Sequence, residues 1–375
     1  ALVDAASHRE NVVLATVMRI TGSSYGGVGA RMICLGDGSR VGLVSGGCLE
    51  SDLGEHAKRV YATGCAEVVS YDTRDGDDVP WGLGLGCNGL IEVLLEPLSP
   101  HEAIEFAGLI DRALAADSPS VIATVIRSPD PDIGGPRVGS HALLDNGAVR
   151  STGDWGAGSA LFDATQYSSE ALAAGRRGVV HEIGAAEVAF EVVMPAIRLV
   201  VCGAGPDAAP VARFASELGW DVTVVDHRPL TEAHSARFPG ARVVECVDAL
   251  QLARVLPSNQ RFAAVVMSHN LARDRDYLYA LLKSDLTYLG VLGPRARTER
   301  MLMELIAREG SLPHIDERFF SPVGLDIGGE GPDAIALSII SQISAVTSGR
   351  SGGHLRDRRA PLHAPSLVEA ATGSF

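Results

Sequence analysis

Apolar positions in the second half of the chain come as short unbroken runs, at residues 197–202, 222–225, 263–267 and 288–292, separated by stretches with helical spacing. A run that is apolar on both faces suits a strand covered by helices on both sides of a parallel sheet. The alternation predicts βαβ units, and hence a Rossmann-type doubly wound domain, over about 196–348. Its first strand leads into Gly203-x-Gly205-x-x-Ala208, with a helix expected from about Ala209 to Leu218. The next strand delivers Asp226, 23 residues after Gly203. An acid there suits a ribose diol, with the pyrophosphate at the helix start.

The first half has a different pattern, and it occurs twice. Ala15-Thr16-Val17-Met18-Arg19 returns as Ala123-Thr124-Val125-Ile126-Arg127, and Val28-Gly29 returns as Val138-Gly139. The turns Gly36-Asp37-Gly38 and Asp145-Asn146-Gly147 follow, and residues of this kind close hairpins. Helical stretches then stop at Gly64 and Gly175, where glycine suits the residue just past a helix. Strands through Val68-Val69 and Val179-Val180 come next, and Glu92-Val93-Leu94-Leu95 is matched to Glu191-Val192-Val193-Met194. The pattern predicts an α+β domain over 1–195 made of two degenerate strand-strand-helix-strand units, about 8–98 and 116–195. Only the first unit carries Ser45-Gly46-Gly47-Cys48 and the glycine-rich insertion 82–89. The second has Thr152-Gly153-Asp154-Trp155 at the corresponding helix start.

Length and composition agree with two folded domains. The 375 residues are too many for one core of ordinary size, and 46% hydrophobic with 21% charged residues suits a soluble α/β protein. From Ser348 onward Gly, Arg and Pro dominate, and the tail 349–375 is expected to be mobile. A net charge of -14 argues against nucleic acid and anionic membranes as partners. The apolar runs fall far short of a membrane span and no basic-then-apolar leader is present, so a cytoplasmic location is expected. The six cysteines, at 34, 48, 65, 87, 202 and 246, show neither CxxC nor zinc spacing, which suits reduced thiols.

Cys48 follows two glycines and is read as opening a helix with the apolar stripe Leu49, Leu53, Ala57 and Val60. A thiol there sits near the positive end of the helix dipole, which favours thiolate, and so a nucleophile, a sulfur carrier or a soft metal ligand. A small buried residue at a tight turn is an equally good reading. Cys87, within Gly86-Cys87-Asn88-Gly89, has the same ambiguity. Cys34, Cys65, Cys202 and Cys246 lie in or beside apolar strand patterns and are read as core. Asp52 and His56 follow Cys48 at four-residue steps with Glu55 nearby, where a solvated helix face is favoured over a metal site. Gly293-Pro294-Arg295-Ala296-Arg297 suits either phosphate binding or a helix cap. The string Tyr279 to Lys283 is read as helix packing, and no His-Asp or His-Arg set for hydride transfer is evident.

Six motifs in order, Ser45-Gly46-Gly47-Cys48-Leu49-Glu50, Gly84-Leu85-Gly86-Cys87-Asn88-Gly89, Val225-Asp226-His227-Arg228, Arg237-Phe238-Pro239, Leu289-Gly290-Val291-Leu292-Gly293 and Gly324-Leu325-Asp326-Ile327-Gly328, closely resemble the XdhC/CoxI family. The resemblance spans nearly all of residues 8–348. It implies an accessory protein that binds molybdenum cofactor, supports its sulfuration and inserts it into a xanthine-dehydrogenase-type apoenzyme. It also implies a homodimer that contacts both that molybdenum hydroxylase apoenzyme and a cysteine desulfurase.

Under this resemblance, the cofactor-binding set is Ser45, Gly46, Gly47, Cys48, Glu50, Gly86, Cys87, Asn88, Gly89, Gly203, Gly205, Asp226, Arg228, Gly293, Arg295 and Asp326. Cys48 and Cys87 are then the thiols nearest the molybdopterin and its molybdenum, with no catalytic residue and no resident protein metal. The Gly203 turn would hold the nucleotide of a dinucleotide form of the cofactor, or an NAD-like dinucleotide. The working surface is expected where that turn faces Cys48 and Cys87. Departures from the family pattern include Gly22-Ser23-Ser24-Tyr25-Gly26, Pro206-Asp207-Ala208, Asn88 and Pro294. Asp207 sets a negative charge beside the expected pyrophosphate position, which weakens dinucleotide binding. The competing functions are an NAD(P)-dependent oxidoreductase and a non-carrier docking or regulatory subunit. The chain lacks the iron-sulfur cysteine clusters of xanthine dehydrogenase itself.

Overall fold

The computed structural model describes residues 1–22, 25–72, 89–129, 134–174, 178–257, 262–313, 315, 317–357 and 359. It forms two compact units that divide between Pro195 and Ala196. Residues 360–375, most of the tail expected to be mobile, lie outside the described residues.

The first unit runs α1 (Leu2–Ser7), β1 (Val12–Gly22), β2 (Arg31–Leu35), β3 (Arg40–Gly42), α2 (Glu50–Thr63), β4 (Glu67–Asp72), β5 (Gly89–Leu98) and α3 (Pro100–Ala115). It continues through β6 (Ser120–Arg127), β7 (His141–Asp145), β8 (Ala148–Thr152), α4 (Ala160–Ala173), β9 (Gly178–Ile183) and β10 (Ala186–Val193). Two antiparallel sheets result, ordered β3-β2-β1-β5-β4 and β8-β7-β6-β10-β9. Adding five to each strand number of the first sheet gives the second, so the repeat is carried by topology as well as by sequence. Each copy is richer than strand-strand-helix-strand, with three strands before the helix and two after it. The tight β7–β8 hairpin turns on Asn146 and Gly147, both at positive φ.

Strand register corrects one detail of the sequence alignment. Arg19 lies opposite Glu92, and Arg127 lies opposite Glu187, in both cases beside a bulge. The counterpart of Glu92 is therefore Glu187, and that of Glu96 is Glu191. Both strands carry glutamates four residues apart, so matching letters could not tell one from the other. The paired glutamates and arginines join the copies: Arg19 reaches Glu92 at 2.8 Å and Glu187 at 3.3 Å, while Arg127 reaches each at 2.6 Å. Met18, Leu94, Ile126 and Ala189 form the small apolar core beside them.

In the second unit, β11 (Arg198–Cys202), α5 (Ala208–Glu217), β12 (Asp221–Asp226), α6 (Glu232–Arg237), β13 (Arg242–Glu245) and α7 (Ala249–Val255) come first. Then follow β14 (Phe262–Val266), α8 (Leu271–Leu282), β15 (Tyr288–Val291), α9 (Arg295–Glu309), β16 (Phe319–Phe320) and α10 (Pro332–Thr347). The parallel sheet is ordered β13-β12-β11-β14-β15-β16, the Rossmann arrangement, with its switch point between β11 and β14. Leu199 and Val201 pack with α5 and α10 on one face, and Val200 and Cys202 with α8 on the other. This two-sided burial is why the strands read as continuous apolar runs. Tyr279 donates to Glu309 at 2.6 Å with the Lys283 ammonium 3.8 Å from its ring centre, so that pair serves the packing of α8.

Candidate functional site

The thiol loop is built around Glu50, the first residue of α2. Its Oε1 accepts from the amides of Val44 (3.1 Å) and Ser45 (2.7 Å), and its Oε2 accepts from the Ser45 hydroxyl (2.7 Å) and the Gly47 amide (2.9 Å). The Ser45 hydroxyl oxygen in turn accepts from the Leu49 amide at 2.8 Å. Burial pushes the Glu50 carboxyl up, but the hydrogen bonds from Ser45 and Val44 outweigh it and hold the group below the usual range. Gly46 and Gly47 have φ of 77° and 108°, conformations that side chains strain to adopt.

Cys48 lies just ahead of α2 and is exposed, which removes the buried-residue reading. Gly46, Gly47 and Cys48 are exposed, and Gly46 and Gly47 form the turn between the buried Ser45 and the start of α2. Among the described residues, no cluster of metal-ligating side chains includes Asp52 and His56, and the two do not form a solvated face. They pack against β4, with Tyr71 donating to Asp52 at 2.6 Å and His56 Nδ1 lying 2.9 Å from Glu67. Gly86, Cys87 and Asn88 fall outside the described residues, and Gly89 is a buried strand residue opposite Gly22.

Cys65 is not core. It follows the left-handed cap Gly64, in the turn before β4 begins, and is exposed there. Cys34, Cys202 and Cys246 are buried as read, and burial pushes Cys246 up to about 11 and Cys202 well above its ordinary value. Alkylation at pH 8 followed by peptide mass mapping is expected to label Cys48 and Cys65 quickly and these three at least about tenfold more slowly, because only exposed thiolate reacts.

At the rim of the parallel sheet, Gly203 has φ of 135°, and a Cβ there would come within 2.6 Å of the Met267 carbonyl oxygen. Ala204 is held from both sides: its amide donates to Asp226 at 2.7 Å and its carbonyl accepts from Arg237 at 3.0 Å. Asp226 is fully buried and also accepts two bonds from the Arg228 guanidinium, at 2.9 and 2.7 Å, and one from the Arg228 amide. Burial alone would raise this carboxyl, but the bonds from Arg228 and Ala204 hold it well below the carboxylate range. The acid expected to meet a ribose is, as found, a latch on the glycine turn.

Asp207 stands over Gly205, with Oδ1 2.5 Å from where a Cβ would be, and its Oδ2 lies 2.7 Å from His269 Nε2. His269 has φ of 59° and sits just past β14, at the switch point. A His-Asp pair therefore exists at the mouth of the turn, although its members are 62 residues apart in the chain. Only the adjacency of β11 and β14 brings them together. The one local hint was a polar Ser268-His269-Asn270 sequence immediately after an apolar strand. Asp274 and Arg297, paired at 2.7 Å behind Ser268, were also missed. Gly293 has φ of 115°, Arg295 is exposed as the first residue of α9, and Asp326 is exposed on the loop beyond β16.

Residues 199–343 match the XdhC Rossmann domain, and residues 5–72 match the XdhC and CoxI family. A Bacillus subtilis protein described as a probable xanthine dehydrogenase subunit is 32% identical over 337 residues, covering 89% of this chain and 93% of that one. The Escherichia coli "Molybdenum cofactor insertion chaperone PaoD" is 23% identical over 92% of this chain and 86% of its own. A Bacillus halodurans crystal structure described as a xanthine dehydrogenase superposes with a TM-score of 0.70 at 28% identity, covering 97% and 98% of the two chains.

Proposed function

Because the chain belongs to the XdhC and CoxI family, we propose that it is an accessory protein of molybdenum hydroxylases that binds molybdenum cofactor, supports its sulfuration and inserts it into the apoenzyme. The observation that carries this is an exposed thiol on a glycine-shaped loop that Glu50 frames through four hydrogen bonds. Cys48 would hold the soft metal end of the cofactor, while the exposed Gly46 and Gly47 let the loop backbone come close to it. The bound cofactor supplies the molybdenum chemistry used by the recipient enzyme, and the loop's part is to hold and shield it. The chaperone described for Escherichia coli supports the same role. Cys87, a cysteine desulfurase as sulfur donor and a homodimeric state belong to this reading.

Protein purified from a host that makes the cofactor is expected to carry molybdenum and pterin by elemental analysis and mass spectrometry. Cys48→Ala should retain about tenfold less. Parent-like retention in both Cys48→Ala and Cys87→Ala would assign the cofactor elsewhere.

An oxidoreductase reading gains the His269–Asp207 pair, but Asp226 is committed to Arg228 and Ala204, and Asp207 carries a negative charge to the pyrophosphate position. An NADH fluorescence titration is therefore expected to stay flat through the micromolar range, and the same two features count against a cofactor dinucleotide at this turn. Saturable binding with turnover would restore the enzyme reading.

A further inference from the structure

Asp207 is the N-cap residue of α5, a place where an aspartate ordinarily accepts from an amide of the first helical turn. Its side chain makes no such bond. The carboxylate instead leans back over the glycine turn, with Oδ1 against Gly205, and its Oδ2 accepts from His269 Nε2 at 2.7 Å. The contact crosses the switch point, because Asp207 lies on the loop after β11 and His269 on the loop after β14, and these strands are neighbours. Folds of this kind hold the phosphates of a ligand at that place.

His269 is aimed by its neighbours. The Ser268 amide and hydroxyl are fixed on buried Asp274, at 3.0 and 2.5 Å, and the Asn270 side chain caps α8 by accepting from the Arg273 amide at 3.2 Å. Between these anchors His269 keeps a φ of 59°, left-handed backbone that strains a residue with a side chain unless its surroundings enforce it. Three other donors on this rim are committed to the protein: Arg228 to Asp226, Arg237 to the Ala204 carbonyl and Arg297 to Asp274. The His269–Asp207 contact differs, since the two side chains are 63% and 21% exposed. A contact between groups that water reaches contributes little to stability, so an anion from solution can exchange with it.

We propose that Asp207 is an internal stand-in for a phosphate, and that the diphosphate of a ligand displaces it and takes over the His269 donor. The Gly203–Gly205 turn is then an anion site held shut by its own chain, and His269 is the group shared between the shut and the occupied states. This site lies in the Rossmann unit and takes nothing from the cofactor-carrier reading of the Cys48 loop, so either can fail without the other.

The probes are ADP and inorganic pyrophosphate, titrated calorimetrically into the full chain. Parent protein should bind them weakly. Asp207→Ala should bind at least about tenfold more tightly, the scale of one hydrogen bond to a charged group. Asp207→Ser, a good N-cap too short to reach His269, gives the same comparison if Asp207→Ala fails to fold. Adding His269→Ala to either variant should cancel most of the gain, which simple removal of a negative charge does not predict. A gain with both probes, or with pyrophosphate alone, supports the site. A gain with ADP alone shows recognition of the nucleoside and overturns the diphosphate assignment. Parent-like affinity in the folded Asp207 variants, or a full gain that survives loss of His269, overturns the exchange.

Discussion

Replacing Asp226 with alanine is expected to destabilise the Rossmann unit by about 3 kcal/mol, the range for breaking a buried ionic and hydrogen-bonded group when one partner is half-exposed. The change strands the Ala204 amide, which has no other acceptor among the described residues, and frees Arg228 from its bidentate contact. Because the Ala204 carbonyl remains tied to Arg237, the turn should loosen locally before the sheet separates. Hydrogen exchange read by mass spectrometry should show early loss of protection in peptides covering 199–208, with smaller changes in 286–292. Uniform protection across both would mean that the latch contributes little. The sign with pH follows from the depressed Asp226 carboxyl: its contribution is complete above the unfolded-state value near pH 4 and is lost as pH falls toward the folded value. Parent and variant stabilities should therefore converge in acid.

The second large effect is expected at Glu50. Glu50→Ala removes the acceptor for three amides and one hydroxyl in the thiol loop, and should cost about 2 kcal/mol once rehydration of those amides is allowed for. The functional loss should be larger than the loss of stability implies. Molybdenum retention is expected to drop about tenfold even at temperatures where the variant is fully folded, since the binding proposed for the Cys48 loop needs that loop preorganised. Denaturant melts alongside metal analysis of the same sample separate the two effects. Retention equal to the parent at full folding would show that the Cys48 loop needs no such frame. Glu50 is also held below the ordinary range, so its latch too is intact at neutral pH and weakens on acidification.

Much of the fold was legible in the chain because it rests on local rules. Unbroken apolar runs marked strands buried on two faces, and Gly203 through Asp226 fell where strand, turn, helix and strand require them. Letter-for-letter recurrence exposed the repeat, and glycine pairs marked the loop that presents Cys48. Cys65 was misread because an apolar neighbourhood in sequence does not say on which side of a helix cap a residue falls. The exposed state of Cys48 could not be read either, since a tight turn before a helix suits a buried small residue equally well.

Pairings across the sheets were beyond the sequence for a different reason. Whether Glu92 answers to Glu187 or to Glu191 is a matter of strand register, which a four-residue spacing of identical charges leaves open. Whether Asp226 meets a ribose or Arg228 depends on how side chains share one buried carboxylate. The His269–Asp207 pair exists because β11 and β14 are neighbours, a fact of strand order and not of spacing. Local hydrogen bonding and apolar periodicity are short-range and leave their trace in consecutive residues. Saturation of a carboxylate, as at Glu191 by Arg31 or at Glu96 by His141, depends on groups brought from distant parts of the chain, and only the tertiary structure decides it.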